Sequence, residues 1–461
     1  MFSLRRARGP LSLIGLYLVT VVLWAGARPW SAWFATRASA LDALAIACGL
    51  VGLTAFALNI VLASRLRAIE RWFGGLGALY RVHRANGRLA YFLIVAHVAL
   101  IFATRAQTSI HAALSLATPS AGRVVLLGVL AFVLMSLAIF ATLRVRLSHE
   151  VFVYVQRMLG VVFMIAALHA FLTAGAKASS TPLTIYLEVV TLAALAAFIY
   201  RSLFGDVLVR RRNYVVTAAR ELDPSVVEIT MKALGKPIEA LPGQFAFATF
   251  YSDEFAAEFH PVTVSATGGT GLIVLRPGDV KNQFHPFSLT SAAGDPELKM
   301  AVKAVGSFTH ALHRLRPGAF ARVEGPYGEF SFLKMAGRDQ VWVAGGIGIT
   351  PFLSMARSLR AGDGYDVKLF YAVKTLAQAY FIDELREIAA TRETFSVTLI
   401  PEDVDGFVTA AELLGGRDRT STEFLICGPP GMVKALTAQL RAEGVPPERV
   451  HGERFGFGPR T

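Results

Sequence analysis

Long apolar runs order the first 205 residues, and short alternating ones order the rest. Six stretches, at roughly 11–27, 40–63, 85–104, 122–143, 151–173 and 183–204, each approach the ~20 apolar residues that a membrane-spanning helix needs. Beyond Asn213 the apolar runs shorten to strand length, at 214–218, 226–231, 298–305 and 321–325, separated by Gly and Pro. From Gln340 onward strands alternate with helices: 341–344, then a helix at 352–359, then 367–372. The pattern predicts a six-span α-helical membrane bundle at 1–205, an antiparallel β-barrel at 206–335 and an α/β Rossmann-like nucleotide-binding domain at 336–461.

Charge orients the bundle. Arg5, Arg6 and Arg8, then Arg65, Arg67, Arg71 and Arg81, then Arg144 and Arg146, then Arg210, Arg211 and Arg212 fall on one side. The intervening loops carry fewer, among them Arg28, Arg37, Arg105 and Lys177. By the positive-inside rule both termini are expected in the cytoplasm of a bacterial-type inner or plasma membrane, with a retained first helix and no cleaved signal peptide. The composition agrees: 54% hydrophobic, 17% charged and a mean hydropathy of +0.49 are too apolar for a soluble protein. The net charge of +13 does not imply nucleic acid, because the arginines sit at the ends of apolar runs, where lipid topology demands them. Two cysteines, Cys48 and Cys427, support neither a disulfide framework nor a zinc site.

Ionisable groups inside a membrane are costly, so histidines there carry a functional expectation. His83 and His97 are 14 residues apart, about four helical turns, so they share a face at levels ~21 Å apart. That spacing suits two haem levels, one per leaflet. His83-Arg84-Ala85-Asn86-Gly87 is echoed by Gln156-Arg157-Met158-Leu159-Gly160, and each is followed by a deeper histidine, His97 or His169. Those two imidazoles are expected to be the axial ligands of one haem, with His83 a second ligand or a flavin contact. Aligning Gln156 with His169, 13 residues on, would need a helical bulge near Gly160.

In the soluble half, His285-Pro286-Phe287-Ser288-Leu289-Thr290-Ser291 puts an aromatic and small hydroxyls at a strand end, suited to cover and bond a flavin ring. An earlier stretch, Phe259-His260-Pro261-Val262-Thr263-Val264-Ser265, reads as its partial duplicate. Gly306, Ser307 and Thr309 open a helix expected at 309–315, whose free amides suit a pyrophosphate. Gly325-Pro326-Tyr327-Gly328 reads as a tight turn at the domain junction. Gly345, Gly346 and Gly348 follow a strand, with Thr350 as the expected N-cap and Pro351 as the first helical residue, an arrangement for a dinucleotide phosphate. Cys427-Gly428-Pro429-Pro430-Gly431-Met432 makes a second glycine-rich turn of the same kind. Lys374 ends a strand with no acidic neighbour in sequence, which favours NADPH over NADH.

Together, the paired histidines and the ordered motifs HPFSLTS, GPYG, AGGIGITP and CGPPGM resemble the ferric reductase and NADPH oxidase superfamily over nearly the whole chain. The resemblance implies FAD at 285–291, NAD(P)H phosphates at 345–351, the nicotinamide near Cys427 to Met432, and an aromatic stacking on the flavin at Phe455. It implies hydride transfer from nicotinamide to flavin, single-electron steps to haem b, and delivery to oxygen, a ferric chelate or a periplasmic redox partner. Two departures stand out: an insertion around 262–284, and Gln156 where the family has an inner-haem histidine. About one haem per chain is therefore expected, since Arg157 has no lone pair to offer.

Overall fold

The computed structural model describes residues 2–144, 149–173, 180–203, 209–253, 255–256, 262–266, 269–273, 280–281 and 283–454. The chain divides into two compact units, Met1–Val209 and Arg210–Thr461.

Among the described residues of the first unit, six helices are long and apolar enough to cross a membrane. They are α1 (Phe2–Ala25), α2 (Arg37–Ala63), α3 (Leu76–Ala106), α4 (Arg123–Arg144), α5 (His149–Leu172) and α6 (Thr181–Phe198, continued by a π turn Ile199–Leu203). All six expected spans are present, and α3 starts earlier than hydropathy suggested, so His83 lies inside it. Polar caps set two starts. Thr36 Oγ1 accepts the Ser39 N–H at 3.1 Å while Ser39 Oγ accepts the Thr36 N–H, a reciprocal cap for α2. Ser180 Oγ caps α6 at the Leu183 N–H. The core of this unit, including Leu53, Phe56, Ala131, Phe163 and Ala194, joins α2 to α6.

The second unit begins with an antiparallel sheet of β1 (Arg211–Asp223), β2 (Val226–Ala233), β3 (Phe245–Tyr251), β6 (His285–Ser288), β7 (Glu297–Lys303) and β8 (Phe320–Tyr327), ordered β6-β3-β8-β1-β2-β7. A bridge between Leu289 and Met300 brings its edges together as a barrel, filled by Ile229, Met231, Phe250, Met300 and Val323. The inserted segment forms its own hairpin, β4 (Val262–Ala266) with β5 (Gly269–Ile273), outside that sheet. The HPFS strand β6, the second copy of the duplicated motif, is the one built into the barrel, against β3. Residues 259–261 of the first copy lie outside the described residues.

A parallel sheet follows: β9 (Asp339–Gly345), β10 (Asp366–Val373), β11 (Phe395–Pro401), β12 (Glu423–Gly428) and β13 (Val450–Arg454), ordered β11-β10-β9-β12-β13. Alternate residues serve its two faces. Trp342, Leu369 and Tyr371 pack with α8 (Ile349–Ser358) and α9 (Ile382–Ala390), while Val341, Val343 and Ile426 pack with α10 (Pro430–Ala442). Strand order reverses between β9 and β12, and ligands of open α/β sheets bind in the crevice at such a switch point.

Candidate functional site: two imidazoles and two glycine turns

The three central histidines of the bundle are held in one way. His97 Nδ1 is 2.8 Å from the Ala45 carbonyl oxygen of α2, His83 Nδ1 is 3.1 Å from that of Asn59, and His169 Nδ1 is 2.7 Å from that of Val124 on α4. A carbonyl only accepts, so each ring carries its proton on Nδ1 and its lone pair on Nε2. His97 and His169 lie close enough to act on each other electrostatically. Both rings are half-buried, and Ala45, whose carbonyl holds His97, is itself fully buried. Glycine faces each ring. A Cβ on Gly49 would stand 2.8 Å from His97 Nδ1, and one on Gly128 would stand 2.7 Å from His169 Cε1.

The His83 level is built differently. Asn86, 5% exposed, donates to the Ala55 carbonyl at 2.9 Å and to Asn59 Oδ1 at 3.2 Å, and accepts the Tyr17 hydroxyl proton. α5 runs as unbroken α-helix through Gly160, without the bulge that would align Gln156 with His169. The residue four turns before His169 on its own face is Val155, and neither it nor Gln156 offers an imidazole. Gly160 packs instead on the Phe198 ring. Among the described residues no three metal-binding side chains come together. Two imidazoles alone leave a bare ion under-coordinated but complete the axial set of a porphyrin iron.

In the barrel, β6 meets the Gly306 turn. His285 stacks on Phe308 with centroids 4.0 Å apart, and Phe287 lies parallel to the same ring at 6.5 Å. The helix there is α7 (Ser307–Ala311) followed by a 3₁₀ turn, Leu312–Arg314, and so begins earlier than expected. Thr309 Oγ1 accepts the Val305 and Gly306 N–H groups at 2.8 and 2.9 Å, so it shapes the turn and is not free to meet a phosphate. Thr290 Oγ1 is fully buried without a hydrogen-bond partner, an orphan acceptor and donor within the motif. The Gly325-Pro326-Tyr327 segment is not a junction turn: it ends β8, with a register break between Glu324 and Tyr327.

The two glycine turns leave adjacent strands at one level, with Ala344 paired to Cys427. They touch through backbone: a Cβ on Gly348 would lie 2.3 Å from the Cys427 carbonyl oxygen, and one on Gly428 would lie 3.0 Å from Gly345 Cα. Met432 wedges between them, against Gly345 and Gly428. Gly346 takes φ +54, which side chains disfavour. The expected cap is corrected: Gly346–Gly348 form a 3₁₀ turn, Gly348 is the N-cap, and Thr350 and Pro351 are the second and third residues of α8. The turn tightens first because Thr350 Oγ1 bonds the Ile347 carbonyl at 3.1 Å from inside the helix. Pro429 caps α10, with Pro430 first and Gly431 second.

Several contributors escaped the sequence reading. Glu453 pairs with Cys427 across β12 and β13; burial pushes its carboxyl up to about 8 and, with Glu453, raises the Cys427 thiol. α8 also pins the flavin motif. Ser354 Oγ donates to the Ser291 carbonyl at 2.7 Å, Arg357 donates to that of Thr290 at 2.7 Å, and Arg357 holds Glu384 in a two-pronged pair at 2.6 and 2.8 Å. Lys374 is exposed, and the Asp403 N–H bonds its carbonyl at 3.4 Å, so the fold sets Glu402 and Asp403 beside a strand end that looked free of acid in sequence. Phe455 lies outside the described residues.

Residues 48–167 match the family model of the ferric reductase like transmembrane component, and residues 342–438 match that of the oxidoreductase NAD-binding domain. The chain is 33% identical to ferredoxin–NADP reductase B of Sorangium cellulosum, over 40% of this chain and 82% of that protein. It is 29% identical to the ferredoxin–NAD(+) reductase component of an alkene monooxygenase system of Xanthobacter autotrophicus, over 54% of this chain and 73% of that one. A flavohemoglobin structure from Malassezia yamatoensis superposes with a TM-score of 0.49 at 17% identity, over 82% of this chain and 98% of its own. The chain belongs to the ferric reductase and NADPH oxidase superfamily of oxidoreductases, a ferric reductase-like transmembrane domain fused to a ferredoxin reductase-type module.

Proposed function

We propose that this protein carries electrons from cytoplasmic NAD(P)H, through FAD in the barrel, to one haem b held by His97 and His169, and delivers them across the membrane to oxygen or a ferric chelate. The observation that carries the reading is the imidazole pair: two Nδ1 protons committed to main-chain carbonyls, and two Nε2 lone pairs left for iron. The arginine distribution supports placing the reductase module in the cytoplasm. When bound, FAD supplies the change from a hydride pair to single electrons, and haem supplies a one-electron relay.

The chain's own residues bind, orient and insulate. Gly345, Gly346 and Gly348 let backbone and the α8 N-terminus approach a pyrophosphate. His285 to Ser291, with Gly306 and Ser307, frame the flavin, and the orphan Thr290 hydroxyl suits one of its polar edge atoms. Ser354 and Arg357 tie that frame to the nucleotide helix, so hydride donor and acceptor keep one register. Glu453, neutral near pH 7, can donate a hydrogen bond beside Cys427, where Pro429, Gly431 and Met432 wall the nicotinamide side. Lys374 offers a cation to an adenosine 2′-phosphate against the pull of Glu402 and Asp403 nearby, so NADPH is the proposed donor with a small margin over NADH.

The test is NAD(P)H oxidation by oriented vesicles with oxygen or ferric chelate supplied only on the far side. Reduction of the external acceptor that vanishes in His97→Ala is expected; acceptor reduction indifferent to that substitution would overturn the reading. Lys374→Ala should narrow the NADPH-to-NADH preference, and an unaltered ratio sinks the nucleotide assignment.

A further inference from the structure

The imidazole partners repeat. On α2 the carbonyl that holds His97 belongs to Ala45, and the glycine facing the ring is Gly49, one turn on. On α4 the carbonyl that holds His169 belongs to Val124, and the facing glycine is Gly128, again one turn on. Each histidine thus rests in a carbonyl-and-glycine cradle supplied by the preceding helix of its own hairpin. His83 has the carbonyl, from Asn59, but the residue one turn on is Ala63, and no Gly cradle forms.

We propose that Gly49 and Gly128 are positioning residues for the haem iron, each leaving the volume in which its imidazole turns Nε2 toward the metal. This rests on the haem reading above and adds two residues that would act on the iron through its histidines. Backbone freedom is not the reason for glycine here, since both lie inside regular helix and neither has positive φ. Space is the reason. A methyl group at either position would lie nearer the ring than side chains tolerate, and the ring cannot retreat without leaving its carbonyl.

The two cradles differ in which edge they guard. At position 49 a Cβ would crowd Nδ1 at 2.8 Å, then Cε1 at 3.2 Å and Cγ at 3.3 Å, the edge that makes the hydrogen bond to Ala45. At position 128 it would stand 2.9 Å from both Nδ1 and Nε2, so it crowds the ligating nitrogen itself. Gly128→Ala therefore strikes at ligation, and Gly49→Ala strikes at the second-shell bond that makes the imidazole a stronger donor.

Gly52 supplies the control. It lies on α2 beside Gly49, and its Cβ would crowd Ile94 at 3.0 Å, an aliphatic contact of similar tightness with no imidazole in it. The full-length protein, purified with its FAD, is compared as wild type, Gly49→Ala, Gly128→Ala and Gly52→Ala by pyridine haemochromogen, low-spin EPR and redox titration. Gly128→Ala should retain haem at least about 10- to 100-fold more weakly, since displacing the ligating nitrogen costs no less than losing an outer-shell partner. Gly49→Ala should keep its haem with shifted EPR g-values and a raised potential, because a less basic imidazole stabilises ferric iron less. Gly52→Ala should match wild type, and FAD content should hold in all four. Haem in the wild type with unchanged spectra in both Gly49→Ala and Gly128→Ala overturns this inference alone. Equal haem loss in all three variants assigns the glycines to folding and overturns it too. A wild type without haem overturns the functional reading and this inference with it.

Discussion

The two histidine levels of the bundle share a helix, a tautomer and a kind of hydrogen bond, yet among the described residues only the His97 level has a second imidazole within electrostatic reach. At the His97 level a second imidazole lies close enough to act on the first, and both rings are half-buried. At the His83 level, Tyr17, Asn59 and Asn86 satisfy one another, and α5 presents Val155 and Gln156. A histidine primed by a carbonyl is therefore not enough to predict a ligand. The facing helix and the packing around the ring decide it.

The largest effect should come from removing an imidazole at the His97 level. His97→Ala or His169→Ala is expected to abolish bound haem and transmembrane electron transfer while NAD(P)H still reduces FAD at a near-normal rate, followed by stopped-flow flavin bleaching. Haem retained in either variant would erase the difference between the levels. Next, pyridine haemochromogen against released flavin should give about one haem per FAD, unchanged in His83→Ala. A ratio near two that falls to one in His83→Ala would make the levels equivalent.

A stability effect should mark the His83 level. Asn86→Leu strands the Tyr17 hydroxyl and leaves the Ala55 carbonyl without its side-chain donor, at a cost of about 1–3 kcal/mol for buried polar groups left unpaired. The expected readout is a lowered unfolding temperature with haem content intact. Haem loss at unchanged stability would mean that the network serves the metal site.

How much of this was legible in sequence depends on whether the signal is local. The six spans were, because apolar length alone dictates them, and so were the glycine turns, since a strand, a glycine run and a helix are contiguous. The level contrast was legible in part: Gln156 stood out in sequence where the family has a histidine, but its place on the helix could not be fixed until α5 was seen to run without a bulge. Gly49, Gly128 and Glu453 were illegible because their partners are far along the chain, 48 residues away from Gly49 in the case of His97. The start of α8 moved for a local reason that sequence does not rank, a Thr350 hydroxyl bonding backward to Ile347 and not capping forward. The acidic residues near Lys374, Glu402 and Asp403, were hidden by separation along the chain, since they come from the short helix that follows β11.

The smallest effect should leave both levels of the bundle untouched and appear only in the soluble site. Glu453 is raised to about 8 by burial, against an ordinary value of 4.5. Between those two values the unfolded chain has released this proton and the folded chain has kept it, so the unfolded state binds fewer protons and this group's contribution to stability falls as pH rises. Below about 4.5 both states are neutral at this site, and above about 8 both are charged, so the contribution is flat outside the window. Glu453→Gln keeps the shape and replaces the carboxyl with an amide that still donates a hydrogen bond, while removing the titration. It should flatten the fall in unfolding temperature between pH 5 and 8, and it should lift the alkaline limb of NAD(P)H-dependent FAD reduction, where wild type places a negative charge beside Cys427. Haem content and its EPR signals should be identical in the two proteins at every pH. A variant with the wild-type pH profile would show that Glu453 is already ionised at neutral pH, and a change in the haem signals would show that the reductase site and the His97 level are not independent.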